Sequence, residues 1–330
     1  MNLTKKEKEL IVQLRNEGFT YRKIAEKVLG RESRESSIRG FLKTNAKENK
    51  ISKTSHQHEL FSFDEVILPK SNIRILLLDI ETAPCAGFYF GNRYEIYISQ
   101  EQVISESFIL TYSAKYLGNP NIIFGGLTYE EVKNEDDSRI VAELYDLLDK
   151  VDIVIAHNGK QFDIKVINTR LLFNGFPQPK PYKVVDTLLI ARRVFKFPSN
   201  KLDSICQFLG LDTKIETEGF KLWKGYLNGD EESMTRMMEY NIQDTIILEQ
   251  VYLKLRAWDS THPNMNIYRG DVEETDVCPV CGSMHYKEIT DKQAHSNICS
   301  YDIFRCSNCS KIFKKRKNSS KKKINFVNSI

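Results

Sequence analysis

The chain has 330 residues, of which 41% are hydrophobic and 28% charged, with a net charge of +4. This composition supplies enough apolar surface for hydrophobic cores and excludes a wholly disordered chain, and the length suggests two or three domains. No run approaches the roughly 20 uncharged apolar residues that span a bilayer, and the charged start MNLTKKEKEL is unlike a signal peptide. We therefore expect a cytoplasmic protein that has no membrane partner.

Positive charge is concentrated at the two ends of the chain. Residues 1–50 contain 13 Lys and Arg against 7 Glu, and residues 311–330 contain 8 Lys and Arg and no acidic residue. Because the whole chain carries only +4, residues 51–310 must carry a net charge of −10. Basic ends suit a polyanionic partner and an acidic centre suits cation-binding carboxylates, although ordinary solvated surface is the alternative for both.

Residues 1–45 have the pattern of three short helices. Apolar residues recur at helical spacing in three sets, which are separated by Gly18 and Gly30. A tight turn before the last helix is typical of a helix-turn-helix, and we favour DNA binding because the excess charge is positive. The third helix would present Arg34, Ser36, Ser37 and Arg39. A helical cap or a dimerisation segment is the alternative. Residues 46–70 are polar and aperiodic and are predicted to form a linker.

Residues 71–260 alternate between strand-like and helix-like segments. Continuous apolar runs at 75–78 and 151–156 are typical of strands that are buried on both faces, and polar residues follow each run. Further strands are predicted at 108–112, 122–125 and 183–186, and helices at about 136–149, 162–174, 200–209 and 231–257. The alternation predicts an α/β layered domain.

Four acidic residues stand at positions that could form one site. Asp79 and Glu81 end the first apolar strand, and strand alternation places both on the same face. Asp163 follows the second apolar strand, and Asp244 lies one helical turn after Tyr240 on the same helix face. Clustered carboxylates repel one another and call for a cation, and oxygen ligands suit Mg²⁺ or Mn²⁺, which in pairs assist phosphodiester cleavage. The alternative is four ordinary surface carboxylates.

These segments resemble the three exonuclease motifs of the DEDD 3′–5′ exonucleases. The motifs are Asp79-Ile80-Glu81-Thr82, Asn158 through Phe162-Asp163, and Tyr240-Asn241-Ile242-Gln243-Asp244. A tyrosine four residues before the last aspartate marks the tyrosine subclass. The resemblance covers about residues 73–257 and is close to the proofreading domains of family B DNA polymerases and to phage DNA polymerase exonuclease subunits.

The resemblance implies a ribonuclease H-like fold, a mixed sheet flanked by helices, that binds two Mg²⁺ or Mn²⁺ ions. By analogy with the family, Asp79, Glu81 and Asp244 would hold the first ion. Asp79 would bridge to the second ion, and Asp163 would act largely through water. Tyr240 would orient the attacking water molecule.

The implied function is that of a metal-dependent 3′–5′ exonuclease that acts on DNA ends in replication, proofreading or repair, in a bacterial or phage-infected cell. Asn158 and Phe162 would face the terminal nucleotide, and Thr82 and Lys201 are further candidate substrate contacts. A separate DNA polymerase subunit is a candidate partner. Two alternatives stay open: an RNA-trimming exoribonuclease of the same superfamily, and a non-catalytic DNA-binding regulator built on a nuclease scaffold.

Four of the seven cysteines form two C-x-x-C pairs. They are Cys278, Cys281, Cys306 and Cys309. Each pair lies in a predicted tight turn, so two turns can complete a tetrahedral site, and we predict one structural Zn²⁺ in a zinc ribbon over 278–313. Disulfides are the alternative and are unusual inside cells. Cys299, His285 and His295 are alternative ligands.

Two further segments complete the predicted organisation. Residues 261–277 are predicted to link the α/β domain to the ribbon. Residues 314–330 are basic and polar and are predicted to be a disordered tail. A zinc ribbon with such a tail suits contact with a phosphate backbone without base readout, and a nuclear-localisation signal is the alternative.

Overall fold

The computed structural model describes residues 27–28, 73–90, 98–215, 217–268, 276–296, 300–315 and 326–327. The chain divides into two compact units, Met1–Ser62 and Phe63–Ile330, so the boundary falls within the predicted linker. Lys27 and Val28 are helical, and the remainder of the predicted helix-turn-helix, with the whole of the linker at 46–70, lies outside the described residues. Among the helices that the structure describes, none is both long and apolar enough to cross a membrane.

The strands of residues 73–268 form a mixed sheet and a small hairpin. They are β1 (Ile75–Thr82), β2 (Ala86–Gly87), β3 (Val103–Ser105), β4 (Ile109–Tyr116), β5 (Ile123–Gly126), β6 (Ile153–Ala156) and β7 (Lys183–Asp186). The sheet has the order β5-β4-β1-β6-β7, and β2 pairs with β3 separately. The pairs β4–β5 and β1–β4 are antiparallel, whereas β1–β6 and β6–β7 are parallel.

Helices flank this sheet, which confirms the prediction of an α/β domain with a central mixed sheet. They are α1 (Tyr129–Lys133), α2 (Ser138–Leu148), α3 (Asp163–Phe173), α4 (Thr187–Val194), α5 (Leu202–Leu209), α6 (Phe220–Leu227) and α7 (Glu231–Leu255). The sequence predicted α2, α3, α5 and α7 but missed α1, α4 and α6. These three helices have eight residues or fewer, and helices this short give a weak periodic signal, although α5, which also has eight residues, was predicted.

The alternation of side chains along β1 produces two hydrophobic cores, one on each face of the sheet. Leu76, Leu78 and Ile80 pack on the face that α2, α3 and α6 cover. Ile75 and Leu77 pack on the other face, against α4, α5 and the C-terminal half of α7. The next two residues of this second row are Asp79 and Glu81, so the pleat of β1 carries both carboxylates to the side of the sheet where α7 lies.

A second antiparallel sheet follows the α/β domain. Its strands are β8 (Tyr286–His295), β9 (Ser300–Cys306), β10 (Ile312–Lys315) and β11 (Phe326–Val327), in the order β11-β10-β9-β8. We call residues 276–296, 300–315 and 326–327 the cysteine module. The prediction of a disordered tail at 314–330 is wrong for Lys314 and Lys315, which belong to β10, and for residues 326–327, which pair with them. The free edge of β10 accepts a further strand, and the segment INFV contains good strand formers.

The predicted linker at 261–277 also needs correction. His262 and Met265 are buried, and residues Met265–Tyr268 form a 3-10 helix. The Met265 N–H donates to the carbonyl oxygen of Pro279 at 2.8 Å, and Asn266 is hydrogen-bonded to both backbone groups of Val277. Hydrogen bonds therefore join Met265 and Asn266 to the cysteine module, while the Met265 side chain packs in the hydrophobic core beside α7.

Candidate active site

Three carboxylates meet at the end of β1. One oxygen each of Asp79, Glu81 and Asp244 lies within 4.8 Å of the other two, and we call these residues the carboxylate cluster. Asp79 and Glu81 are partly exposed, whereas Asp244 is only 2% exposed. The structure thus brings together three of the four predicted carboxylates, which come from two elements far apart in the sequence, β1 and α7.

Asp163 stands beside this cluster rather than within it. It is the first residue of α3, it is buried, and its Oδ1 accepts a hydrogen bond from the Ile80 N–H at 3.2 Å. Its charge interacts with that of Asp79. The backbone bond to Ile80 joins the start of α3 to the strand that carries Asp79 and Glu81, so it fixes the fourth carboxylate relative to the other three.

The loop before Asp163 is held in place by Asp186, a residue to which the sequence analysis gave no role. The Asp186 carboxylate accepts hydrogen bonds from the N–H groups of Asn158 and Lys160, each at 3.1 Å, and also caps α4. Asn158 has a φ of +73°. Gly159 permits this tight path, because a Cβ there would lie 2.4 Å from the Cβ of Ala156.

The carboxylates of the site favour their protonated forms when no cation is bound. Burial, followed by the charges of Asp163, Glu81 and Asp244, raises the pKa of Asp79 well above its ordinary value. Burial and the charge of Asp244 raise the pKa of Glu81 to about 8. Burial raises the pKa of Asp163 to about 7, against the effect of its backbone hydrogen bonds. The site therefore has an unmet demand for positive charge.

Lys214 supplies part of that charge. Its Nζ donates to the Tyr240 hydroxyl at 3.0 Å and also to Asp244 Oδ2. Burial alone would lower the pKa of Lys214, but the neighbouring Asp244 and Tyr240 raise it above its ordinary value, so the ammonium stays charged. Sequence reasoning missed this residue because it lies between α5 and α6 in a segment without periodicity.

Asn241 positions the first carboxylate of the cluster. Its side chain is fully buried, its Nδ2 donates to Asp79 Oδ2 at 2.6 Å, and its Oδ1 accepts a bond from the Thr111 hydroxyl at 3.1 Å. The sequence analysis quoted Asn241 within a motif but assigned it no function. The spacing of three residues to Asp244 is the signal that could have found it, because it places both side chains on one helix face.

Comparison with known proteins identifies the fold of this region. Residues 106–256 match the RNase H superfamily. This match covers just under half of the chain, and we call the mixed sheet with its flanking helices the RNase H-like domain. The matched span contains Asp163, Tyr240 and Asp244 and begins after Asp79 and Glu81, which the structure adds to the same RNase H-like domain.

One curated relative and one solved structure show similarity to the chain. The DNA polymerase III PolC-type of Ureaplasma parvum is 30% identical over 145 residues, which is 40% of this chain and 10% of the relative. The chain thus spans about a tenth of the length of that relative. The second match is to the structure of the family B DNA polymerase from the hyperthermophilic archaeon Pyrobaculum calidifontis. It covers 56% of this chain and 25% of the polymerase chain, with a TM-score of 0.40 and 15% identity.

The donor set of the RNase H-like domain fits divalent cations. Asp79, Glu81 and Asp244 offer hard carboxylate oxygens, which are the ligands that Mg²⁺ and Mn²⁺ prefer. Within the described residues, Asp244 Oδ1 is buried and has no hydrogen-bond partner. A buried carboxylate oxygen without a partner is costly unless it contacts a cation, so the arrangement suits a bound metal ion.

The predicted substrate contacts lie on the elements that carry the carboxylates or on neighbouring segments. Thr82 ends β1, where the pairing with β4 shifts register, and Phe162 directly precedes Asp163 and is 41% exposed. Lys201 is exposed at the N-terminus of α5, and among the described residues no ion pair or hydrogen bond joins its ammonium to the carboxylates. Its neighbour Asn200 accepts a hydrogen bond from the His157 ring at 2.9 Å, which places this turn next to the loop at 157–162.

The four predicted zinc ligands also meet at one point. Their sulfurs lie within 4.8 Å of one another, and all four cysteines are buried and free of disulfides; we call them the cysteine cluster. The Cys278–Cys309 and Cys281–Cys306 sulfur pairs are each 3.6 Å apart. A tetrahedron with metal–sulfur bonds of about 2.3 Å has edges of about 3.8 Å, so the cluster fits one Zn²⁺ ion. His285 and His295 are exposed and lie outside it, and Cys299 lies outside the described residues.

Proposed function

We propose that the RNase H-like domain is a metal-dependent 3′–5′ exonuclease that removes nucleotides from DNA ends. The observation that carries this proposal is the convergence of Asp79, Glu81 and Asp244 within 4.8 Å, with Tyr240 on the same helix as Asp244. Carboxylates so close together serve no purpose in a hydrophobic core, and the raised pKa values of Asp79 and Glu81 show that the fold tolerates repulsion between them.

The three clustered carboxylates would hold one divalent cation, and Asp79 with Asp163 would hold a second. Bound Mg²⁺ or Mn²⁺ would supply Lewis-acid stabilisation of the charge that develops on the phosphate oxygens and would lower the pKa of water. Asn241 keeps Asp79 oriented through its side-chain amide. The backbone of Ile80 does the same for Asp163. These contacts hold the ligand oxygens in place before substrate binds, which reduces the cost of reorganisation.

Tyr240 and Lys214 both lie beside Asp244. Burial and the charge of Asp244 raise the pKa of Tyr240 to about 12, so its hydroxyl is neutral near pH 7. Lys214 donates to the hydroxyl oxygen, and the hydroxyl also interacts with the side chain of Asp244 through a hydrogen bond. The hydroxyl therefore lies beside a metal-ligand carboxylate, where it would hold the attacking water molecule while the bond from phosphorus to the departing 3′ oxygen breaks, releasing a nucleoside 5′-monophosphate.

Exposed aromatic side chains favour single-stranded ends as substrate. Phe88, Tyr89 and Phe90 are 72%, 56% and 95% exposed and follow Glu81 closely in the chain. Phe162, next to Asp163, is also exposed. Aromatic rings at a nucleic-acid site stack on unpaired bases without regard to sequence. The curated relative is a DNA polymerase, which favours DNA over RNA and a role in replication, proofreading or repair beside a polymerase subunit.

The accessory segments would supply binding rather than chemistry. We propose that the cysteine cluster holds one structural Zn²⁺, because all four donors come from the protein and none is left for substrate. The basic residues 1–50 and 314–330 would contribute contacts to the phosphate backbone. A helix-turn-helix at 1–45 remains part of this proposal, as does the setting of a bacterial or phage-infected cell.

A degradation assay tests the proposed reaction. DNA and RNA strands of matched sequence, labelled at the 5′ end, are incubated with full-length protein in Mg²⁺, Mn²⁺ or EDTA. We expect the DNA to shorten stepwise from its 3′ end with either metal, and the Asp244→Asn variant to be inactive. The Asp146→Asn variant, which changes an exposed carboxylate on α2, serves as the matched control.

Other outcomes of this assay would select the alternatives. Faster shortening of RNA than of DNA would favour an exoribonuclease. Binding of DNA without cleavage in any metal would favour a non-catalytic regulator. Shortening from the 5′ end would contradict the assigned polarity.

A further inference from the structure

Four aromatic side chains form a continuous row on the side of the sheet that α4, α5 and α7 cover. They are Phe195, Phe197, Phe208 and Trp258, and we call them the aromatic row. The ring centre of Phe195 lies 5.5 Å from that of Trp258 and 5.2 Å from that of Phe197. The centres of Phe197 and Phe208 are 5.4 Å apart. These are the distances of rings in contact, so the four side chains form one apolar surface.

The aromatic row is anchored in the core at its centre and exposed at its two ends. Phe195 and Phe197 are half-buried and pack against the hydrophobic core of this face. Phe208 and Trp258 are 61% and 63% exposed. Core packing therefore accounts for the two central rings but not for the outer two, whose apolar surface stays in water. A contiguous apolar surface that is left exposed marks an interaction site.

The row connects the neighbourhood of the active site with the cysteine module. At one end, the turn at 198–201 follows Phe197, and a backbone oxygen of this turn accepts a hydrogen bond from the His157 ring at 2.9 Å. His157 begins the loop that precedes the fourth carboxylate. At the other end, the backbone oxygen of the residue after Trp258 accepts a hydrogen bond from Lys311 of the cysteine module at 3.0 Å. A ligand that covers the row thus extends away from the active site towards the module.

The segment that carries two of the four rings is strongly basic. Residues 187–202 contain four Lys and Arg and no acidic residue, although the centre of the chain as a whole is acidic. Arg192, Lys196 and Lys201 are exposed, and within the described part of the chain no ion pair joins their side chains to a carboxylate. Cations without carboxylate partners beside exposed rings are complementary to a polyanion that also presents flat apolar groups.

Single-stranded DNA has both properties, because its phosphates are negative and its unpaired bases have flat apolar faces. We propose that the aromatic row binds the part of a DNA strand that lies outside the active site. Bases stack on Phe208 and Trp258, while the exposed cations of residues 187–202 contact phosphates. An apolar protein surface is the other candidate occupant, but it gives no reason for the run of cations. The identity of the ligand as DNA rests on the proposed function, whereas binding to the row does not depend on cleavage.

Binding of full-length protein to fluorescein-labelled oligothymidylate tests this role. Affinity is measured without Mg²⁺ or Mn²⁺, so that cleavage does not interfere, for strands of about 20 and about four nucleotides, since only the longer strand reaches beyond the active site. We expect Phe208→Ala and Trp258→Ala each to weaken binding of the longer strand by about 5- to 100-fold, the scale of one base–aromatic stack. Binding of the shorter strand should be unchanged. Trp258→Phe, which keeps an aromatic ring, should retain most of the affinity.

The matched control is Phe173→Ala. Phe173 is 73% exposed on α3, which covers the opposite face of the sheet, so its removal should leave both affinities unchanged. The double variant Arg192→Gln, Lys196→Gln tests the cations, and each lost phosphate contact should reduce the slope of log affinity against log salt by about 0.7. Thermal unfolding shows whether each variant folds. If Phe208→Ala does not fold, the two Trp258 variants and the cation variant decide.

Three results would exclude this role. Affinities of Phe208→Ala and Trp258→Ala for the longer strand that equal that of wild type would leave a protein partner as the occupant of the row. Equal weakening by Phe173→Ala would show a general effect of exposed aromatic side chains. Equal weakening for both strand lengths would place the defect in the active site.

These measurements separate the role of the row from the proposed reaction. If the protein cleaves no DNA but the row variants lose affinity for the longer strand, the row stands and the nuclease proposal fails. If the row variants bind the longer strand as wild type does and still shorten DNA, the nuclease proposal stands and the row is not its binding surface.

Discussion

The carboxylate cluster and the cysteine cluster are built in opposite ways. Asp79 and Glu81 come from a strand and Asp244 from a helix far along the chain, and the two strand residues are partly exposed. The cysteines come from two tight turns, and none is more than 3% exposed. One cluster is assembled by the whole domain fold and open to solvent, whereas the other is assembled locally and closed.

This difference indicates what each cluster is for. An open set of repelling carboxylates leaves positions for water and substrate, as catalytic sites require, and a closed set of four cysteines leaves none. Changes in the carboxylate cluster should therefore reduce rate and spare the fold. Changes in the cysteine cluster should reduce stability and spare the rate of the molecules that remain folded.

The largest effect is expected from Asp79→Asn. Degradation of DNA should fall by about 10⁴-fold, the scale for a group on which other catalytic groups depend. The metal-free variant should be at least as stable as wild type, because it removes a carboxylate whose pKa burial, Asp163, Glu81 and Asp244 all raise. Initial rates and thermal unfolding in EDTA measure both effects. A variant that unfolds at a much lower temperature than wild type would show that Asp79 stabilises the fold instead.

Tyr240→Phe should have the next largest effect. Removal of the hydroxyl should lower the rate by about 10²- to 10⁴-fold, as for other positioned proton-handling groups. Metal affinity should be unchanged, since the carboxylates are untouched. Tyr145→Phe on α2 is the matched control, because its ring packs beside Phe176 away from the cluster. Unchanged turnover in Tyr240→Phe would remove this residue from the mechanism.

Cys306→Ser tests the other side of the comparison. If free Zn²⁺ is present at about 100 times its Kd, loss of Zn²⁺ binding would cost about 2.7 kcal/mol of stability. At about 2–4 °C per kcal/mol, Tm should fall by about 5–10 °C. The turnover number of the folded fraction should stay within a few-fold of wild type. An unchanged Tm together with full zinc content would show that the cysteine cluster does not bind the metal through this sulfur.

The sequence predicted the carboxylate site better than it predicted the supports around it. Asp79 and Glu81 lie at the end of a strand whose apolar run is visible in the sequence, and the spacing of Tyr240 and Asp244 is that of a helix face. Lys214 was missed because a lysine in an aperiodic loop carries no local signal, and only the tertiary fold brings it to Asp244. Local pattern thus finds residues at element ends, whereas contacts between distant loops need the structure.

The same limit explains the errors at the C-terminal end. His262 and Met265 belong to a polar stretch that resembles a linker, yet packing against α7 and the cysteine module buries them. Arg256 falls within the helix predicted at about 231–257, and no local signal in the sequence indicates that its side chain is buried. Sequence alone gives the two C-x-x-C pairs but not which surface they cover.

The pH dependence of metal-free stability gives a further test of the carboxylate site. Glu81 and Asp163 have pKa values raised to about 8 and about 7, mainly by burial, so above pH 6.5 the folded state holds protons that the unfolded state has lost. Stability in EDTA should therefore fall as pH rises from 6.5 to 8.5, by a few degrees in Tm. His157 and His262, whose pKa burial lowers to about 4, are neutral in this range and contribute little. Mn²⁺ should raise Tm more at pH 8.5 than at pH 6.5; equal increments would contradict binding at these carboxylates.

The smallest effect is expected from the basic C-terminal residues. Substitution of Lys321, Lys322 and Lys323 by Gln leaves β10 and the strand segment at 326–327 unchanged in sequence. If these lysines contact phosphates, each lost contact should reduce the slope of log affinity against log salt by about 0.7 for single strands. Cleavage at saturating substrate should hardly change, because the carboxylates are intact.

The control for this measurement is a variant with three exposed lysines of the RNase H-like domain, Lys133, Lys150 and Lys180, replaced by Gln. It makes the same change in net charge at other positions. Equal reductions in slope for both variants would show a general charge effect without a contact at the C-terminal residues. A reduction in slope confined to the C-terminal variant would show that this segment binds nucleic acid. Because this change would lower affinity while leaving rate and Tm as they were, the segment would act separately from the carboxylate cluster and the cysteine cluster.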